Sequence, residues 1–245
     1  MENYVSAMPL WAIILFIVSF LISLIPMANT AKQAALNAGM SNSKSRNIQL
    51  GILIFYILWL AYASILALKG VFTVNTLPPR VFLFTSIPLM IILFIIIGNT
   101  GLYKKLIHAA SLESLIRIHV FRVVGIFFLL LYFNKLLPTN FAFSADMGDL
   151  ITAIFAIPVA RAVSQKKSWS IKAVYAWNIF GILDIVVLTI FAVIIALSDA
   201  KTGGNSIKEM GIFPFVWFPA FAPATILFLH SGVFRKLKQL RTRQV

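Results

Sequence analysis

The stretch DLITAIFAIPVARAVSQKKSWSIK, residues 149–172, decides the fold. Its first part, 149–163, is apolar but short for a membrane crossing, begins at Asp149 and contains Pro158. The segment 161–172, which overlaps its end, carries Arg161, Lys166, Lys167 and Lys172 and no acid. Lys and Arg concentrate in the cytoplasmic loops of multi-pass proteins. If 149–163 did not cross, this basic segment and the basic tail (Arg235, Lys236, Lys238, Arg241 and Arg243) would both face outside, against that rule. The charge pattern therefore makes the weak segment a span.

Six further apolar stretches lie around it, at about 8–26, 49–69, 81–98, 117–137, 173–197 and 212–233. All are continuously apolar rather than alternating, so the backbone satisfies itself as helices and not as a barrel. Positive charge falls in every second gap: Lys32, Lys44 and Arg46, then Lys104, Lys105 and Arg117 against Glu113, then 161–172, then the tail. The intervening gaps are poor in charge or balanced. The expected fold is all-α, one domain of seven transmembrane helices over 1–245, with the N-terminus outside, the C-terminus inside and a basic cytoplasmic tail at 235–245. The leading residues hold Glu2 and no Lys or Arg, so 1–26 reads as a span and not as a cleaved signal.

Composition agrees. Hydrophobic residues make up 60% of the 245 residues and charged residues 11%, too few to cover a soluble domain. The net charge of +14 reads as the inside bias plus attraction of the tail to anionic inner-leaflet headgroups, not as nucleic-acid binding, because no aromatic-basic platform accompanies it. No cysteine is present, which excludes disulfides and thiolate chemistry. The absence of an Asn-x-Ser/Thr sequon favours a bacterial inner membrane. Loops are short and no phosphate-cradling glycine motif occurs, which excludes ATP-driven transport by this chain alone.

Function must then come from polar groups inside the spans, where they are costly. The fourth span carries His119 and Arg122, followed by Gly125; the sixth carries Asn178, Gly181 and Asp184 at three-residue steps on one face; the seventh carries Pro219, Pro223 and His230. At 1.5 Å per residue Asp184 falls near the bilayer middle, with Arg122, Asn178, His119 and His230 within about 10 Å of the cytoplasmic face. Together they are the expected ligand- or ion-binding residues. Each has a structural alternative: Arg122 can snorkel to headgroups, Asn178 and Gly181 can join helices, and both histidines can be interfacial. A mid-membrane carboxyl such as Asp184 must be neutral, paired or wet.

Several chemistries are excluded. A retinal Schiff base needs a lysine in the seventh span, which has none. Neither a Gly-x-Ser-x-Gly elbow nor His-Glu-x-x-His occurs, and the three histidines lack metal-site spacing. Three classes remain: a protein that binds or transports a small molecule or ion; a non-catalytic module packed against a partner protein or a second copy; and a redox protein holding haem between His119 and His230.

Arg122 and Gly125, Leu137 and Pro138, Phe141 and Ala142, Gly148 and Asp149, then Trp177, Asn178, Gly181 and Asp184 form a pattern that resembles uncharacterised bacterial multi-pass membrane proteins over about 117–190. This chain has Ser144, Ala145 and Asp146 where such proteins have Pro-Ala-Gly. The resemblance implies a bacterial envelope protein and no activity. At that turn Asp146 or Asp149 is expected to cap the fifth helix, where a carboxylate also meets the positive end of the helix dipole.

Overall fold

The computed structural model describes residues 4–74 and 76–242, the side chains of 145 and 146 excepted. Among these residues there is no β-strand, only a single parallel bridge between Val5 and Phe213. Seven helices are long and apolar enough to cross a membrane: α1 Leu10–Asn37, α2 Asn42–Leu68, α3 Phe82–Asn99, α4 Leu112–Phe133, α5 Thr139–Ser164, α6 Ser170–Thr202 and α7 Trp217–Thr242. The fold is that of a multi-pass membrane protein.

α7 lies in the middle, against α2, α3, α4 and α6, while α4 packs on α1, α5 and α7. Burial follows: 72% of the most apolar stretch of α7 and 61% of that of α4 are buried, against 17% for α6. α6 nevertheless has one inner stripe. Val174, Trp177, Asn178, Gly181, Ile185, Leu188 and Ala192 recur at the three- and four-residue spacing of a single helix face, and the rest of the helix offers apolar side chains outwards. Aromatic rings fix α1 on the centre: Phe16 lies 4.7 Å from Phe215 and 5.1 Å from Phe218, and Phe20 lies 5.2 Å from Phe221, centroid to centroid.

The prolines of α7 open its backbone ladder. Pro223 has no N–H to give the Pro219 carbonyl, and the Ser86 hydroxyl of α3 donates to that carbonyl at 2.5 Å instead. Trp59 of α2 donates to the neighbouring Ala220 carbonyl at 3.0 Å. The carbonyl that Pro223 leaves open is thus one link between α7 and α3.

The two ends of the bundle differ. At one, Arg235 donates to the Gly98 carbonyl (2.9 Å) and lies over the Tyr103 ring, and Asn37 reaches the Ala109 carbonyl. At the other, Ser6 donates to Glu209 at 2.6 Å and the backbone of residues 4–6 pairs with Phe213. Burial pushes the Glu209 carboxyl above its ordinary range.

One expectation is corrected here. α5 starts at Thr139, behind Pro138, not at Asp149. A proline suits this position because the first N–H groups of a helix have no intrahelical partner. Asp149 therefore lies in the helix interior and caps nothing; the side chain of Asp146 lies outside the described residues, as do Glu2 and Arg243.

Candidate functional site

Residues Ile118–Ile126 of α4 wind as a 3₁₀ helix. With three residues per turn, positions three apart fall in one row. His119, Arg122 and Gly125 form that row, and all are buried. Arg122 is its centre, with a fully buried side chain.

The guanidinium joins three other helices. Its Nε donates to Asp149 Oδ1 of α5 at 2.6 Å, its Nη1 to the Gly181 carbonyl of α6 at 3.2 Å, and its Nη2 to Asp184 Oδ2 of α6. Nη1 also lies 3.2 Å from His230 Nε2 of α7. Arginine offers only donors, so this His230 nitrogen acts as acceptor and the ring proton sits on Nδ1. From there it is donated to Asn178 Oδ1 at 2.8 Å, and Asn178 Nδ2 donates back to the His230 carbonyl at 3.2 Å. One cation faces two carboxylates, all inside helices long and apolar enough to cross a membrane.

Small residues make room for this. A Cβ on Gly148 would fall on the Asp184 carboxylate, and one on Gly181 would lie 2.5 Å from the His230 ring. Any side chain at these positions would displace a member of the network. Trp177 donates to the Thr152 carbonyl at 3.0 Å and sets its ring edge-on against His119, 5.0 Å between centroids. Both ring nitrogens of His119 and the Thr152 hydroxyl are buried without a hydrogen-bond partner among the described residues.

All five expected binding residues thus meet around one point: Arg122 touches Asp184 and His230, His230 touches Asn178, and His119 lies on His230. Arg122 does not snorkel to headgroups. Asp149, expected at a helix end, is the second carboxylate of the network. Its signal was present in the sequence: Asp149, Thr152, Ala153, Ala156 and Ala160 form a small and polar stripe at helical spacing, all buried. Haem does not fit between His119 and His230. Their rings are 4.0 Å apart, centroid to centroid, and tilted by 35°, which leaves no width for a macrocycle, and both His230 nitrogens are engaged elsewhere.

Neither the curated proteins nor the solved structures hold a match to this chain. A family model does match: it covers residues 78–238, the region that holds α3 to α6, most of α7 and every residue of the network, so the chain belongs to the family of the domain of unknown function DUF8737.

Proposed function

We propose that the network of Arg122, Asp149, Asp184, Asn178, His119 and His230 is an intramembrane site that binds a small molecule or ion and serves its transport. On this reading the protein sits in a bacterial inner membrane with its basic end inside and its tail on anionic headgroups. One observation carries the proposal: a buried arginine shared by two carboxylates. Each ionisable group inside a span costs about 2.5–3.5 kcal/mol on insertion scales. A single Arg–Asp pair already cancels in charge. The second carboxylate leaves one negative charge over, and a bound proton, cation or cationic group balances it. The unpartnered polar atoms of His119 and Thr152 beside it offer a ligand further hydrogen bonds.

A second reading follows from the internal pairing of Arg122, which uses four of its contacts on three other helices. In it, the network only associates helices of a non-catalytic module that packs on a partner or a second copy. Charge movement in reconstituted protein on a solid-supported membrane separates the two. Concentration jumps of protons, Na⁺, K⁺, a quaternary ammonium, an amino acid and a carboxylate are applied. Wild type is expected to give a saturable current with at least one of them. Asp184→Asn, which keeps shape and hydrogen bonding, should lower that current about tenfold or more while still folding. No current with any member, or one unchanged in Asp184→Asn, overturns transport at this site and leaves the helix-association reading.

A further inference from the structure

A furrow of about 110 Å³ leads from the 205–211 end of the molecule to Asp149. α3 and α6 stand on either side, each packed on α7, and Pro219 and Pro223 of α7 lie on its floor. Phe82 belongs to one wall and Leu188 to the other, and Phe128 and Phe218, stacked at 4.1 Å, stand with Asp149 at the inner end.

The inner end has an unused acceptor. Asp149 is 5% exposed, and only its Oδ1 receives Arg122. Oδ2 accepts no hydrogen bond among the described residues. This oxygen belongs to the carboxylate pair that carries one negative charge more than Arg122 neutralises. The furrow therefore ends in an acid that attracts positive charge.

Its lining decides what kind of cation. Apolar cavities stay dry, and a hydrated metal ion would have to shed its water against rings and aliphatic side chains. A cation that brings its own apolar cover meets no such penalty. The volume sets the scale: an apolar cavity of about 150 Å³ holds benzene, so the substituents are small. The mouth contributes no attraction. Arg80 and Lys208 line it with Asp199, whose carboxylate is already held by the Ser206 N–H and hydroxyl at 2.6 and 2.7 Å. The pull on a cation is at Asp149.

The geometry points to a binding site for a small lipophilic ammonium, its charge on Asp149 and its alkyl groups against Phe128, Phe218 and Leu188. This rests on the reading of the network as a ligand site and names the ligand's class and its way in. The test is calorimetric titration of the detergent-purified protein with trimethylammonium, which is smaller than benzene and has one N–H to give to Oδ2, with Na⁺ and benzoate as controls. Saturable binding of the ammonium alone is expected. Asp149→Asn should weaken it about tenfold or more, and Leu188→Trp and Ala222→Phe, which fill the furrow away from the ion network, should abolish it. Where Asp149→Asn does not fold, the two filling variants carry the test. Ammonium binding that survives both filling variants lies elsewhere and overturns the proposal. If another member of the panel binds in an Asp184-dependent way and the ammonium does not, the ligand site stands and this class is wrong. If nothing binds, this class is wrong, and the ligand site itself falls only if no member of the transport panel gives a current.

Discussion

At the scale of single residues, the network depends as much on missing side chains as on charged ones. Gly148 lies against Asp184 so closely that a methyl group cannot be added without moving the carboxylate off Arg122. Breaking a buried ion pair costs about 3–5 kcal/mol when a charge is left uncompensated; here that charge is Asp184, since Arg122 keeps Asp149. Gly148→Ala should therefore lower stability on that scale. Gly51→Ala is the control. Gly51 sits inside α2 with nothing within 4 Å of an added Cβ, and alanine is favoured over glycine in a helix interior by about 1 kcal/mol. Thermal unfolding in detergent checks both, and a Gly148→Ala protein as stable as wild type would show that Asp184 has room to move. Arg122, Asn178, Asp184, His119 and His230 are legible from sequence because polar groups in apolar spans are expensive. Their partners are less so. Gly148 bears no chemistry of its own, and the ring contact between His119 and His230 depends on the relative rotation of α4 and α7, which no local pattern records.

At the scale of the element, α4 is where sequence and structure part most instructively. Read at 3.6 residues per turn, His119, Arg122 and Gly125 drift around the helix; wound as 3₁₀ over Ile118–Ile126, they form one row. The same winding sets the lipid face. Val123 and Ile126 are 47% and 49% exposed, whereas Phe127, which a 3.6 period places near that face, is 5% exposed. The chain has no cysteine, so single cysteines at positions 115–128 can each carry a nitroxide on a clean background. Oxygen accessibility should peak at 120, 123 and 126, a repeat of three. Peaks that follow a repeat of 3.6 would mean that α4 is an ordinary α-helix and that the row through Arg122 is not held by its winding. The start of α5 was hidden for a different reason. Hydropathy marks the most apolar stretch, whereas the helix begins ten residues earlier at Thr139, through a mixed stretch in which Thr139, Asn140, Ser144 and Asp146 interrupt the apolar residues. That offset is what disguised Asp149 as a cap.

At the scale of the whole molecule, seven apolar helices were readable from composition, and so was the asymmetry of the ends, because both depend on residue type and not on packing. Among the described residues outside the network, fourteen Lys and Arg lie at the end that holds 98–111, 165–169 and the tail, against five at the other. The first group has Glu113 as its acid; the second is offset by Asp199 and Glu209. Basic residues near an anionic leaflet gain about 1 kcal/mol each, and Lys and Arg, not net charge, govern orientation. The fourteen-residue end is therefore expected in the cytoplasm, with the Ser6–Glu209 contact and the mouth of the furrow outside. Thr202→Cys and Ser168→Cys place one exposed thiol at each end of α6, where neither touches the network. In intact cells a membrane-impermeant maleimide should label Thr202→Cys at once and Ser168→Cys only after permeabilisation. The reverse pattern would invert the molecule and put the mouth of the furrow inside, and labelling of both without permeabilisation would mean that α6 does not cross.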